Sequence, residues 1–137
     1  MIKVLIVEDS LTVSQYLEYI LNGNQGIDVI GTLRNGREAI AFLEHTRPDI
    51  IVMDIHMPVM DGIEATRTIM STNPVPVIVF TSCSDKDKDK VSMQALSAGA
   101  LALMCKPYLG KLDSDSNTKQ LINMIRAYAQ VKVIRRR

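Results

Sequence analysis

The sequence is poor in the residues that would make several function classes plausible. It has two cysteines, no tryptophan, and aromatic residues at only 4% of its 137 positions. Cys83 and Cys105 are too few for a disulfide scaffold, and with no secretion signal they point to a reducing, cytoplasmic setting. The N-terminus offers only Met1 to Val7 before Glu8 and Asp9 interrupt it, which is not a signal peptide. No apolar run approaches the roughly 18 residues of a transmembrane helix, so no membrane partner is expected. Neither a P-loop nor a G-x-G-x-x-G occurs, which removes support for nucleotide binding. There is no internal repeat and no low-complexity segment. Charge of one sign is also lacking overall, with a net of +1. Setting aside the four basic residues of 131–137 leaves 12 basic residues against 15 acidic ones, so the body stands at −3. A basic face across the body is what nucleic-acid binding needs, and no nucleic-acid contact by this domain is expected. The tail 131–137 reads as a solvated end or the start of an interdomain linker, with the domain proper at 1–130.

What is present is ordinary globular composition, 47% hydrophobic and 23% charged, in a chain of one-domain length. Short β-branched runs at Val4–Val7, Val29–Thr32, Ile50–Met53, Val75–Phe80 and Leu101–Cys105 lack strict alternation, the mark of strands buried on both faces of a parallel sheet. Between them lie amphipathic stretches of helical period, at Leu11–Leu21, Gly36–Thr46, Ile63–Met70, Val91–Ala98 and Lys119–Ala129. Asp61 and Glu64 around Gly62 resemble a capping box, and Pro48, Pro74 and Pro76 separate helices from the strands that follow. Five strands alternating with five helices predict a three-layer, doubly wound α/β sandwich.

In such sheets ligand chemistry collects at the carboxyl ends of the strands. Strand 1 ends in Glu8-Asp9-Ser10, strand 3 in Asp54, strand 4 in Thr81-Ser82 and strand 5 in Lys106-Pro107. Taken singly, an acid at a strand end is a helix cap or a solvated turn residue. The coincidence at four strand ends favours a site. Three carboxylates about 4 Å apart repel by roughly 4 kcal/mol per pair at an effective dielectric near 20. A hard cation with oxygen ligands, Mg²⁺, makes that arrangement tolerable. A carboxylate between a metal and the Lys106 ammonium is a nucleophile toward phosphorus, with Thr81 able to hydrogen-bond a phosphoryl oxygen. The chemistry expected is transient aspartyl phosphorylation.

At these residues the sequence resembles the receiver domain of two-component response regulators. The matching segments are VLIVEDS, IIVMDIHMPVMDG, VIVFTS and LALMCKP, spread from about Lys3 to Tyr108. The resemblance implies a flavodoxin-like (βα)5 sandwich with sheet order 2-1-3-4-5 and Asp54 as phosphoryl acceptor from a sensor histidine kinase. It implies Mg²⁺ held by Glu8, Asp9 and Asp54, with the backbone carbonyl of His56 completing the protein ligands. It also implies that Thr81 and Lys106 contact the phosphoryl group, that Lys106–Pro107 is a cis peptide, and that His56 and Cys83 tune water access to the acyl phosphate. Output would pass through the face of helix 4, strand 5 and helix 5. Many receivers carry an aromatic switch three residues before the lysine; here that position is Leu103.

A narrower resemblance is to the regulatory domain of chemotaxis protein-glutamate methylesterase, carried by DVIGTLRNGREAI, NPVPVIVFTS, SMQALSAGA and the segment after Lys106. No G-x-S-x-G elbow and no room for a hydrolase domain exist here, so the chain is expected to be no separate enzyme. It is either a receiver fragment or a stand-alone regulator that recruits or dimerises with a partner. Two rivals remain open. A flavin binder would place a phosphate against Glu8 and Asp9, which repel it. A haloacid-dehalogenase-type phosphohydrolase needs a second aspartate where His56 stands. Cys105 reads as a buried, reduced core thiol, Ser84–Lys90 as a solvated loop, and the methionines as core packing.

Overall fold

Aliphatic runs shielded on both faces become neighbouring parallel strands when amphipathic helices cover the sheet from either side. The computed structural model describes residues 1–81, 86–105 and 115–136. Its element order is β1 (Ile2–Val7), α1 (Leu11–Asn22), β2 (Ile27–Leu33), α2 (Gly36–Leu43), β3 (Ile50–Asp54), α3 (Gly62–Thr72), β4 (Val77–Thr81), α4 (Lys88–Ala98), β5 (Ala102–Cys105) and α5 (Asp115–Tyr128). All four strand pairings are parallel and the sheet order is β2-β1-β3-β4-β5, the doubly wound arrangement expected.

The strand period of two divides the core into two layers. Val4, Ile6, Ile50, Val52, Ile78, Phe80 and Met104 face one side, where they meet Val13, Leu17 and Leu21 of α1 and Leu121, Ile122 and Ile125 of α5. Leu5, Val7, Ile51, Met53, Val77 and Val79 face the other, against Ala39 and Leu43 of α2, Ala65, Ile69 and Met70 of α3, and Ala95 of α4. Met53, Met70 and Met104 are core residues as expected, whereas Met93 on α4 is exposed.

Several boundaries differ from the sequence reading, those of β4, α2 and α4 among them. β4 starts at Val77 rather than Val75, because Pro76 has no N–H for the ladder; its carbonyl accepts from Ile51 N instead, at 2.8 Å. α2 ends at Leu43, short of Thr46. α4 starts at Lys88, so part of the charged run read as loop is the first turn of a helix. Only Ala95 and Ala98 are buried in α4, too small a stripe for periodicity to reveal where it begins.

Candidate functional site

Three strand ends and one helix cap assemble the site. β1 and β3 pair in register at Val7–Met53, so the next residue on each, Glu8 and Asp54, reaches the same edge of the sheet. The Glu8 N–H still donates to Leu33 O at 2.8 Å, which extends the β1–β2 ladder through the acid. Its carboxylate accepts from the Ser10 N–H at 3.0 Å. Ser10 in turn caps α1, its hydroxyl accepting from Val13 N at 3.4 Å. The Glu-Asp-Ser run is thus a strand end, a turn and a helix start within three residues, and it aims Glu8 by a local hydrogen bond.

Glu8, Asp9 and Asp54 offer carboxylate oxygens that all lie within 4.8 Å of one another. Glu8 and Asp54 are buried, at 2% and 4% exposure, while Asp9 is exposed. An all-oxygen set of this kind, closed on the sheet side and open at Asp9, suits a hard divalent cation that keeps part of its water shell. Thr81 ends β4, is buried, and sits one residue beyond Phe80, which pairs with Asp54. His56 follows two residues after Asp54 with its side chain exposed. Lys106, the Lys106–Pro107 bond and Cys83 lie outside the described residues.

Gly62 is a site residue that the sequence reading used only as part of a cap. A Cβ at Gly62 would overlap the carbonyl oxygen of Asp54 and lie 2.9 Å from Ile55 Cα, so only glycine lets α3 start this close to the acid. The Gly62 N–H donates to Ile55 O at 2.8 Å and fixes that approach. Asp61 caps the helix as expected, accepting from Glu64 N at 2.8 Å. Cys105 departs from expectation. It is disulfide-bonded rather than reduced, and it is exposed rather than buried because it is the tip of β5, where the inward position belongs to Met104. Leu103 is half-buried and packs on the α2/α3/α4 side of the core.

This geometry can be set beside known proteins. A family model for the response regulator receiver domain matches residues 4–114. The chain belongs to the response regulator receiver family. This receiver is 42% identical over 137 residues to a protein-glutamate methylesterase/protein-glutamine glutaminase of Nitrosospira multiformis, covering 99% of this chain and 39% of that protein. A second such protein, from Methanospirillum hungatei, is 44% identical over 138 residues, with 100% and 39% covered. The receiver therefore spans about two-fifths of the length of these relatives. Among solved structures, the response regulator domain of Thermotoga maritima CheB superposes with a TM-score of 0.85 at 32% identity, covering 96% of this chain and 98% of that one. The receiver domain of the sensor histidine kinase PA1611 from Pseudomonas aeruginosa gives a TM-score of 0.76 at 26% identity, covering 94% and 98%, and was solved with magnesium coordinated in its active-site cleft. Fold and family are thus those that the four sequence motifs implied.

Proposed function

We propose that this receiver is a phosphorylation switch in which Asp54 accepts a phosphoryl group from a sensor histidine kinase. The observation that carries the reading is the convergence of Glu8, Asp9 and Asp54 within 4.8 Å at the carboxyl edge of a parallel sheet. Glu8, Asp9 and Asp54, with the backbone carbonyl of His56, would hold Mg²⁺. When bound, the ion supplies the positive charge that offsets the carboxylates and the phosphoryl oxygens.

In the transfer, a carboxylate oxygen of Asp54 forms a bond to phosphorus as the bond from phosphorus to the donor's leaving atom breaks. The leaving atom keeps that electron pair, and for a phosphohistidine donor it is an imidazole nitrogen. Burial of Asp54 keeps bulk water from competing with the donor. Thr81 donates its hydroxyl hydrogen to a phosphoryl oxygen, and the Lys106 ammonium pairs with another. The product carries a charge close to −2 at neutral pH, enough to bias an equilibrium between two conformations of the fold.

The kinship with methylesterases supports one role for that bias. The α4–β5–α5 face controls a protein-glutamate methylesterase domain in a longer protein, with the receiver at 1–130 and 131–137 as tail or linker. In the alternative, the same face recruits a separate partner or a second copy. In either case the receiver itself is no separate enzyme and works in the cytoplasm; no helix among the described residues is long and apolar enough to cross a membrane.

Intact-mass measurement after incubation with Mg²⁺ and acetyl phosphate tests the switch. One phosphoryl group should add to the wild type and none to Asp54→Asn. Addition to both proteins, or to neither, would overturn the assignment of Asp54.

A further inference from the structure

After α5 the chain turns back, and residues 131–136 run along the end of the molecule opposite the acidic cluster. Helices in this fold run against the strands, so the C-terminal turns of α3 and α4 lie at that opposite edge. Val133 packs against the core layer that these helices share. The Arg136 N–H donates to Met70 O at 2.7 Å. Arg135 Nε donates to Ser71 O at 2.8 Å, and Arg136 Nη1 to Ser97 O at 2.7 Å.

These contacts meet a need that the two helices leave open. A helix ends with four carbonyls that lack an intrahelical partner. In α3, Ile69 O accepts from Asn73 N at 2.9 Å; in α4, Leu96 O accepts from Gly99 N at 3.0 Å and Ala95 O from Ala100 N at 3.1 Å. The tail takes Met70 and Ser71 on α3 and Ser97 on α4. Neither helix has a basic residue in its own last turn. The tail guanidinium groups bring the positive charge that the C-terminal end of a helix dipole favours. Gly99, at φ 118°, makes the room: a Cβ there would lie 2.6 Å from Met70 Cγ and 3.5 Å from Arg136 Cζ. Arg136 bonds both helices, through its backbone N–H on α3 and its side chain on α4.

We propose that Arg136, supported by Arg135, clamps α4 to α3, so that residues 131–136 hold the α4–β5–α5 face in its unphosphorylated arrangement. The second half of this statement rests on the receiver reading; the clamp itself does not. A guanidinium reaches the Ser97 carbonyl with a rigid, planar donor that an ammonium lacks. Arg136→Ala keeps the peptide N–H that bonds Met70, so the variant retains the fold while losing the α4 half of the clamp.

Amide hydrogen exchange on wild type, Arg136→Ala and Arg136→Lys tests the clamp. The amides of Gly99, Ala100 and Leu101 should exchange about tenfold faster in Arg136→Ala, with β1 and α1 unchanged, and Arg136→Lys should fall between. Equal rates at these three amides in all proteins overturn the clamp. Uptake of phosphoryl from acetyl phosphate tests the coupling. If α4 is loosened, the conformation that phosphorylation favours is more populated beforehand, so Arg136→Ala should be phosphorylated a few-fold faster than wild type. Faster exchange with an unchanged uptake rate overturns the coupling and leaves only a structural clasp. A wild type that takes up nothing overturns the receiver reading and the coupling together, while the exchange rates still decide the clamp.

Discussion

At the scale of single residues, the turn between β3 and α3 holds the strongest constraints. Gly62 sits where any side chain would strike the backbone of Asp54, so a substitution there should disturb both the fold and the placement of Asp54. Gly62→Ala is expected to lower stability by about 1–3 kcal/mol, read as a lower urea midpoint, and to slow phosphoryl uptake. Val59 offers the opposite case. It is 75% exposed and holds φ at 69°, a left-handed conformation that a β-branched side chain disfavours. Asparagine tolerates that region without the unfolded-state entropy of glycine. Val59→Asn should therefore stabilise the protein by about 1 kcal/mol, seen as a higher urea midpoint with an unchanged slope. A lower midpoint would show that Val59 contributes contacts that outweigh its backbone strain.

At the scale of elements, α3 depends on its first turn. Asp61 accepts from Glu64 N, and Glu64 places a second acid near the positive end of the helix. Asp61→Ala should cost about 1 kcal/mol in equilibrium unfolding, while Asp61→Ser should recover most of it. This cap was legible because the Asp-Gly-x-Glu spacing is local. So were the five strands, whose aliphatic runs need no partner to be recognised. The start of α4 was not legible, since alternating lysines and aspartates read as solvated chain and only two alanines mark the buried side. The exposure of Cys105 was missed for a related reason: a thiol at the end of an apolar run looks like core, and only the pleat of β5 turns it outward. The tail 131–136 is exposed apart from half-buried Val133, in keeping with a solvated end, but its bonds were not legible. Arginines near a chain end look solvated, yet Arg135 and Arg136 meet carbonyls 64 and 39 residues away in sequence. No pattern within a window can show a bond of that span.

At the scale of the whole molecule, the sheet gathers like charges that cost free energy. Carboxylates within 4.8 Å repel by about 3 kcal/mol per pair at an effective dielectric near 20, less for exposed Asp9, where salt screens the field. The metal-free protein should gain stability when one is neutralised. Asp9→Asn is expected to raise the melting temperature by a few degrees in chelator and to abolish the rise that Mg²⁺ gives the wild type. That rise reflects about 2.7 kcal/mol at a hundredfold excess over Kd. Thermal scans with and without Mg²⁺ on both proteins check this, and an equal Mg²⁺ response in the variant would remove Asp9 from the ligand set. The acids themselves were readable in the sequence as strand ends, whereas the serine that bonds Glu8 and the glycine that lets α3 start against the Asp54 backbone acquire meaning only when β1, β3 and α3 meet. The two ends of the described chain also share an address. β1 begins where Ile2 N bonds Gly26 O, at the edge opposite the acids, and the tail lies along that same edge. Fluorescent proteins fused at either terminus, or a circular permutant that joins the termini through a flexible linker, will therefore crowd the side away from the acidic cluster and leave its carboxylates accessible.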